Sequence, residues 1–320
     1  IRSSRAFAKV SAGPLPWRMR NSLSVAPIVF LLACGGHTSS SSVVAPAQPA
    51  FALPDSVVVL EGASGAPLSA AELMRRVKAA DFVLLGEYHD NSYDHRIRGQ
   101  MIAASARHPA IVFEQFAHTD APIPLPAAGE EMVDWLDRHG FDRKGWRWPL
   151  HEPVVDAAIA EGRGVWGSGL SRDTVRPVVM NGLGAAPSWL QGLLQQSPLD
   201  SVAQAAIDKE LLDGHCGKLP LTMYPGMRAA QEVRDAAMTQ TLLAAGAKGP
   251  AWLIAGNGHV RADMGVPRLL RNAAPGKSML VVGFLERDST GAMPTARERA
   301  LYGIVVVTPP PVREDPCAGM

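Results

Sequence analysis

Short apolar runs alternate with longer amphipathic stretches along the chain from about Asp55 onwards. The apolar runs predict β-strands at Val57–Leu60, Phe82–Leu85, Ala110–Phe113, Gly164–Gly167, Trp252–Ala255, Met279–Phe284 and Gly303–Val307. The amphipathic stretches predict helices, chiefly at Ser69–Ala80, Asn91–Arg107, Pro153–Glu161 and Met227–Ala245. Strands that alternate with helices are typical of βαβ units. The pattern therefore predicts an α/β fold with a mostly parallel central sheet flanked by helices.

The segment from about Leu170 to Ala247 has few strand signals and is rich in helical patterns, including Ser188–Leu194 and Asp200–Leu212. No linker separates this segment from the rest of the chain. We therefore interpret it as a helical insertion over one end of the sheet rather than as a separate domain. The last two predicted strands follow each other without a long helix, which favours an antiparallel pairing at the edge of the sheet.

The N-terminal region has the features of a lipoprotein signal. A basic start at Met19-Arg20 leads into an apolar run that ends at Cys34; this is typical of a secretory signal and too short for a bilayer span of about 20 residues. Leu31–Cys34 resembles the bacterial lipobox, in which the cysteine is lipidated. The alternative is a buried apolar segment with an incidental cysteine. The predicted organisation is an upstream extension at 1–18, a signal peptide at 19–33, a flexible tether at 34–54, an α/β domain at 55–310 and a Pro-rich tail at 311–320.

Composition and cysteine positions limit the classes of partner and the cellular compartment that the sequence predicts. The net charge of +1 gives no electrostatic case for nucleic acid, and 47% hydrophobic residues suffice for a core. Lipidation at Cys34 implies a lipid-anchored protein of the cell envelope, and Gly35 in place of an aspartate favours the outer membrane. In that oxidising compartment Cys216 and Cys317 are able either to pair or to remain thiols.

Two of the predicted strands are each followed by a Gly-x-x-His sequence. The first is Gly86-Glu87-Tyr88-His89, and the second is Gly256-Asn257-Gly258-His259. In a parallel sheet, functional side chains follow the carboxyl ends of the strands. We therefore expect His89 and His259 to lie at one site, with Glu87 beside them.

A third strand, Ala110–Phe113, is followed by the carboxylate of Glu114. If this strand neighbours Phe82–Leu85, Glu114 converges with Glu87, His89, His259 and Arg261. This combination suits a divalent metal, or the activation of water beside an anion. The alternative is a buried ion-pair network that holds the strand ends together.

His89 also lies just before a predicted helix that is capped by Asp90 or Asn91. The positive end of that helix favours a neutral imidazole, which suits a general base or a metal ligand. His-Glu-x-x-His and Gly-x-Ser-x-Gly are absent from the sequence, which disfavours zincin proteases and serine hydrolases. We interpret the tryptophans at 135, 146 and 148 as core packing; the alternative is the wall of a ligand pocket.

Several segments, in order and spacing, resemble the ChaN-like haem-binding lipoproteins. They are Leu84–His89 with Asp90, Asn91 and His95, then Val112–Phe116, His215–Pro220, Ala230–Met238, Gly256–Arg261 and Gly265–Pro267. The resemblance covers about residues 55–285. It extends to a wider group that contains the Tiki and TraB proteins and the erythromycin-esterase-like enzymes.

The resemblance implies both a polar centre and a cofactor. In the wider group, positions matching Glu87, His89, Glu114 and His259 form the proposed active centre. The ChaN-like proteins are associated with haem binding and iron uptake, with haem held between two subunits through a tyrosine. This chain has Trp148 followed by His151 where many relatives have a tryptophan and then a tyrosine.

The candidates for haem contacts therefore lie elsewhere in the chain. They are Tyr88, Tyr93, His215, Tyr224, Asn257 and Arg261. No Cys-x-x-Cys-His sequence is present, which disfavours covalently attached haem.

The prediction is an envelope lipoprotein that binds haem or a related iron-containing small molecule, as a homodimer and with an outer-membrane uptake system as partner. The main alternative is a hydrolase that uses Glu87, His89, Glu114 and His259, with or without a divalent metal. The third is a scaffolding lipoprotein in which the same polar cluster is structural.

Overall fold

A computed structural model describes residues 51–314 and 317–318. Within them lies a seven-stranded sheet. Its strands are β1 (Val58–Glu61), β2 (Phe82–Leu85), β3 (Ala110–Ala117), β4 (Gly164–Gly169), β5 (Ala251–Ile254), β6 (Met279–Glu286) and β7 (Ile304–Thr308). Each predicted strand corresponds to one of these. β3 continues four residues beyond its predicted end, and its pairing with β4 shifts register between Phe113 and Ala117.

The strand order in the sheet is β1-β7-β6-β2-β5-β3-β4. Every neighbouring pair is parallel except β1 and β7, so the sheet is mostly parallel, as predicted. The prediction that the last two strands pair antiparallel is wrong, because β6 and β7 run parallel. Residues 287–303 between them include a short helix and are long enough to return the chain to the starting edge. The antiparallel edge strand is β1.

The helices match the amphipathic stretches, with their ends shifted by a few residues. They are α1 (Ala70–Ala79), α2 (Ser92–Ala103), α3 (Met132–Arg138), α4 (Glu152–Glu161), α5 (Arg172–Asn181), α6 (Ser188–Gln196), α7 (Ser201–Gly214), α8 (Tyr224–Ala245), α9 (Asn257–Val260), α10 (Val266–Ala273) and α11 (Ala296–Arg299). Ser69 and Asn91 cap α1 and α2 by accepting hydrogen bonds from backbone N–H groups.

Alternate residues of the central strands point to opposite faces of the sheet, and both faces are buried. Val83 and Leu85 belong to a core formed with α1 to α4. Phe82 and Leu84 belong to a second core, formed with the C-terminal half of α8 and with α10.

Helices α5 to α8 form the predicted helical insertion. α8 has 22 residues and is about 33 Å long at 1.5 Å per residue. Its second half packs on the sheet through Met238 and Leu242. Gln231 and Asp235, nearer to its start, line a cavity with residues of α7 and with His259, so this part of the insertion lies at the carboxyl edge.

A disulfide between Cys216 and Cys317 joins the end of α7 to the C-terminal tail. The same tail is tied down at Arg313, which forms ion pairs with Asp90 and Glu286. The two cysteines that the sequence left open are thus paired in the structure. The predicted Pro-rich tail is held against the domain at two points.

The predicted extension, signal peptide and Cys34, and most of the tether, lie outside the described residues. Phe51 and Leu53, at the end of the predicted tether, pack against the first core. Among residues 51–314 and 317–318, none of the helices combines the length and the apolar character that a membrane span requires.

Candidate active and binding centre

The carboxyl ends of three central strands bring the predicted polar residues together. β5 lies between β2 and β3, so the sequences after β2 and β5 are direct neighbours. The adjacency of β2 and β3, which was the condition for the convergence predicted from sequence, is therefore not met. Convergence is nevertheless achieved, because Glu114 accepts a hydrogen bond from the backbone N–H of Gly256, at 2.8 Å.

Glu87 is fully buried in a cluster of polar side chains. Its Oε1 accepts hydrogen bonds from Gln115 Nε2 at 2.9 Å and from His151 Nε2 at 3.3 Å, and its Oε2 forms an ion pair with Arg98. Burial opposes ionisation, but the Arg98 charge and the hydrogen bonds from His151 and His89 hold the pKa of Glu87 well below its usual range. Glu87 is therefore an ionised carboxylate inside the protein.

His95 completes this cluster as a neutral imidazole. Arg98 Nη2 donates to His95 Nδ1 at 2.7 Å, so Nε2 carries the proton and donates to the His89 carbonyl at 3.1 Å. Burial and the Arg98 charge lower the pKa of His95 to about 3, despite the opposing effect of Glu87. Both nitrogens of His95 are thus engaged, and it acts as a spacer between Arg98 and the His89 backbone.

The surroundings of His89 oppose the neutral imidazole that its place before α2 predicts. Its Nδ1 lies 2.5 Å from Glu87 Oε1. Burial would lower the pKa of His89, but this hydrogen bond and the charges of Glu87 and Glu114 raise it. A full negative charge in contact outweighs the partial positive charge at a helix start. His89 is consequently favoured as an imidazolium.

His259 lies between two carboxylates. Its Nδ1 is 2.7 Å from Asp235 Oδ1, and its Nε2 is 3.4 Å from Glu114 Oε1. Burial would lower the pKa of His259, but Glu114 and Asp235 raise it to about 10. Burial likewise opposes ionisation of Glu114, whose pKa is nevertheless lowered to about 2, mainly by His259. His259 is therefore a cation at neutral pH.

Glu87, His89, Glu114, His259 and Asp235 together form a carboxylate–histidine row in which acidic and basic groups alternate. His89 and Glu114 come close beside Gly256: a Cβ at that position would lie 3.0 Å from His89 Nε2 and 3.8 Å from Glu114 Oε2. Each imidazolium is flanked by two carboxyl groups. Opposite charges at such short range in a poorly solvated site stabilise one another and fix the side-chain positions.

The row predicts a pH dependence of stability. The pKa of His259 is raised to about 10. The stability that the charged His259 contributes is therefore complete below the ordinary histidine pKa of 6.5 and is lost as the pH rises through about 10. The free energies of unfolding of wild type and His259→Gln, measured in urea from about pH 6 to about pH 10, should therefore converge as the pH rises. A difference that stays constant over that range would contradict a cationic His259.

Asn257, predicted as a cofactor contact, has a structural role in the fold. Its Nδ2 donates to the Phe284 carbonyl at 2.5 Å, and its Oδ1 accepts from the Phe284 N–H at 3.0 Å. The amide thus ties the residue after β5 to β6, beyond the end of β2, which lies between these two strands. Gly86 leaves room for it, because a Cβ there would lie 2.1 Å from Asn257 Oδ1.

We expect Gly86→Ala to lower the free energy of unfolding by about 1–3 kcal/mol, since the new methyl group must displace the Asn257 amide. Gly258→Ala is the matched control, because a Cβ at Gly258 meets no atom within 4 Å. Urea unfolding of the two variants measures the difference. Equal stabilities would show that the Asn257 contact does not hold the strand ends.

A cleft of about 620 Å³ opens above the row. It is lined by Glu87, Tyr88, His89, Glu210, Gly214, Gln231, Gly256, Asn257, Gly258, His259, Arg261, Leu285, Glu298, Leu301 and Tyr302. A smaller cavity of about 150 Å³ adjoins it and also contains His215, Asp235 and Met264. Both have His259 in their walls; Glu87 and His89 also line the cleft, and Asp235 lines the smaller cavity.

Tyr88 is the predicted tyrosine that faces the cleft. It is 38% exposed, and the Arg313 guanidinium lies 5.5 Å from its ring centre. Burial of the hydroxyl, with the charges of Glu286 and Asp94, raises its pKa to about 12. Tyr88 is therefore a neutral phenol with an accessible side chain.

The other predicted tyrosines lie away from the cleft. Tyr93 packs against the first core and carries Arg96 over its ring, and Tyr224 is buried in a small core with α7. Arg261 does reach the cleft, but its guanidinium is paired with Asp263 at 2.7 Å and with Glu210. It therefore neutralises protein carboxylates already.

The predicted metal set of Glu87, His89, Glu114 and His259 is not gathered around one point. In the described part of the chain, the one group whose donor atoms all lie within 4.8 Å of each other is Glu87, His89 and His151. Glu114 and His259 do not join it. Any ion held there would lie beside the Arg98 charge, which is unfavourable for a cation.

The tryptophans are mainly core residues, as predicted. Trp135 is completely buried, while Trp146 and Trp148 pack against the first core. Trp146 also touches the site, since its ring centre lies 4.8 Å from that of His89. It thereby restricts the orientation of the His89 imidazole.

Four residues of the centre were not identified as such from sequence: Asp235, Arg98, Gln115 and His151. Gln115 and Asp235 lie within segments that carry the family resemblance, and His151 lies where the sequence departs from it. Arg98 has no such signal. A polar residue in a helix looks like a surface residue in sequence. Two faint signals were available: Gln115 directly follows Glu114, and Asp235 lies in a helix stretch with many alanines.

Comparison with known proteins yields a family match and a solved structure with the same fold. The sequence matches the family described as haem-binding uptake, Tiki superfamily, ChaN, over residues 73–270. A Campylobacter jejuni structure, described as cofacial haem binding to ChaN, has 16% sequence identity and a TM-score of 0.62. The match covers 78% of this chain and 96% of that one, and it shows a common fold. No match to a curated protein was found.

More distant solved structures include a succinoglycan biosynthesis protein with 9% identity, 74% coverage of this chain, 89% of that one and a TM-score of 0.39. A Bacillus cereus protein has 12% identity, 74% and 90% coverage, and a TM-score of 0.37. Neither likeness is close enough to guide the reading of the site. The family match extends over more than half of the sequence, and its span contains β2 to β5 and the whole carboxylate–histidine row. The chain therefore belongs to the haem-binding uptake family of the Tiki superfamily, ChaN.

Proposed function

We propose that this protein binds haem in the cleft at the carboxyl edge of its sheet and serves haem or iron uptake. The observation that carries the proposal is the cleft itself, which combines a large volume with Tyr88, His89 and His259 in one place. Its volume of about 620 Å³ lies within the usual range of about 300–1,000 Å³ for ligand sites. Family membership makes haem the ligand to test first.

The residues of the cleft fit the chemical requirements of haem. Leu285, Leu301 and Tyr302 supply apolar surface for a macrocycle. The Tyr88 hydroxyl is an oxygen donor of a kind that holds haem iron in other proteins. His89, whose side chain is 43% exposed, supplies a cation suited to a propionate carboxylate. Haem would supply the iron, while the protein supplies the donor, the slot and the counter-charges.

The test is a titration of the purified full chain with haemin, followed by the Soret band. We expect a saturable shift. We also expect about tenfold weaker binding for Tyr88→Phe, because an iron donor is lost, and no change for Tyr93→Phe, which lies against the core. A wild-type protein without saturable binding would contradict the proposal.

The location and assembly that we propose follow from the sequence. Lipidation at Cys34 would anchor the protein in the cell envelope, where an outer-membrane uptake system could deliver haem. A homodimer would let two clefts face each other, as the resemblance implies. Mass spectrometry of the membrane fraction, with Cys34→Ser as control, tests the lipid: a fatty-acylated N-terminal Cys34 is expected, and an unmodified one would contradict the anchor.

A hydrolase that uses the same residues is the second candidate, and one observation weighs against it. A general base must accept a proton, but His259 is already protonated and flanked by Asp235 and Glu114. His89 is in a similar position beside Glu87. Hydrolysis of ester or peptide substrates that is lost in both His89→Ala and His259→Ala would revive this candidate.

A further inference from the structure

His215 is the C-cap residue of α7, on the helical wall of the site. It lines the cavity of about 150 Å³ that adjoins the cleft. Cavity and cleft have Glu210, Gly214, Gln231, Gly258 and His259 in common. A ligand in the cleft would therefore contact residues that also line the cavity of His215.

The hydrogen bond that His215 makes fixes its tautomer. Nδ1 lies 2.7 Å from the Leu211 carbonyl oxygen. A carbonyl can only accept, so Nδ1 must carry the proton. The other nitrogen, Nε2, makes no hydrogen bond with the described residues and bears a lone pair whenever the ring is neutral. Metal-binding histidines are commonly oriented by such a bond to a carbonyl.

The other histidines of the site are committed to neighbouring protein groups. His89 is bonded to Glu87 through Nδ1, and His259 lies between Asp235 and Glu114. His95 uses both nitrogens, and His151 is completely buried against Glu87. Among the described residues around the cleft, His215 combines a fixed tautomer with an uncommitted Nε2 and forms no ion pair with a carboxylate.

The backbone after His215 is held in an unusual conformation. Cys216 has φ of 56° and Gly217 has φ of 71°, which is the left-handed region that residues with a side chain rarely adopt. The disulfide to Cys317 holds Cys216 in this turn. Strain of this kind persists where the surrounding structure fixes it, often at ligand sites. His215 is thus positioned before any ligand arrives.

We propose that His215 Nε2 is an iron donor of this protein, contributed by the helical wall, while Tyr88 belongs to the sheet side. This inference rests on the proposed haem function. It assigns the donor to a histidine of the helical insertion. The ligand class is a metal complex whose metal accepts an imidazole nitrogen.

The test compares haemin titrations of the wild type, His215→Ala and His139→Ala. His139 is a matched control, because it is also a helix C-cap followed by a residue with positive φ. We expect about tenfold weaker binding and an altered Soret band for His215→Ala alone, with added imidazole restoring the wild-type spectrum. Wild-type affinity and spectrum in His215→Ala would overturn this inference and leave the proposed function standing. No saturable binding by the wild type would overturn both.

A measurement without haem tests the same assignment. Nitrogen-15 NMR of the histidine rings in the ligand-free protein should show His215 protonated at Nδ1 and bare at Nε2. A proton on Nε2 with Nδ1 bare would overturn the assignment. The melting temperatures of His215→Ala and His139→Ala should be alike. A purely structural role of His215 would instead lower the melting temperature of His215→Ala alone.

Discussion

Replacing Glu87 by alanine is expected to lower the free energy of unfolding by about 3–5 kcal/mol, the largest single effect that the structure predicts. Glu87 is the ion-pair partner of Arg98, and both side chains are completely buried. Its removal leaves a guanidinium in the core without a counter-charge, and it removes the hydrogen bonds to His89, Gln115 and His151. Urea unfolding measures the loss.

The double variant Glu87→Leu/Arg98→Met is the matched control for this prediction. Removing both charges together avoids the stranded cation, so we expect the pair to recover much of the stability. Circular dichroism should confirm that both variants keep their helices. A Glu87→Ala protein within about 1 kcal/mol of the wild type would contradict a buried, charged Glu87–Arg98 pair.

Reduction of the Cys216–Cys317 disulfide is expected to have the second-largest effect, about 2–5 kcal/mol. The bond closes a loop with a sequence separation of 101 residues, so it restricts the unfolded chain strongly. We expect a reducing agent to lower the melting temperature of a Cys34→Ser background, which excludes thiol exchange with the third cysteine.

The variant that also carries Cys216→Ser and Cys317→Ser serves as the control. It should melt at the temperature of the reduced protein and should not respond to the reducing agent. A melting temperature of the Cys34→Ser protein that is unaffected by complete reduction would show that the tail contributes no constraint. Thiol counting establishes whether reduction is complete.

Strands and their polar ends were predictable because local patterns determine them. Phe82–Leu85 is a strand in the structure with the bounds that its apolar residues predict. Gly-x-x-His after β2 and after β5 marked two neighbouring strand ends. These features depend on short stretches of sequence, and they sufficed to locate the carboxyl edge.

Strand order and the partners of the polar residues were not predictable in this way. The position of β5 between β2 and β3 depends on pairing between residues that are far apart in sequence. Asp235 and Arg98 lie in helices, where a buried charge and a solvated one look alike in sequence. The protonation of His89 depends on Glu87 at 2.5 Å, a contact that only the folded chain creates.

The carboxylate–histidine row links these observations. Its charges compensate one another and hold its side chains in place, and exposed groups such as Tyr88 are left to meet a ligand. This arrangement separates the polar centre at the strand ends from the proposed iron donors.

The most direct test of the account is an iron anomalous difference map from crystals of the protein grown with haemin. The account predicts one strong peak per chain inside the cleft, between Tyr88 and the helical wall that carries His215. An ordered iron bound elsewhere on the protein, with the cleft vacant, would contradict the central claim that the carboxyl edge of the sheet is the haem site.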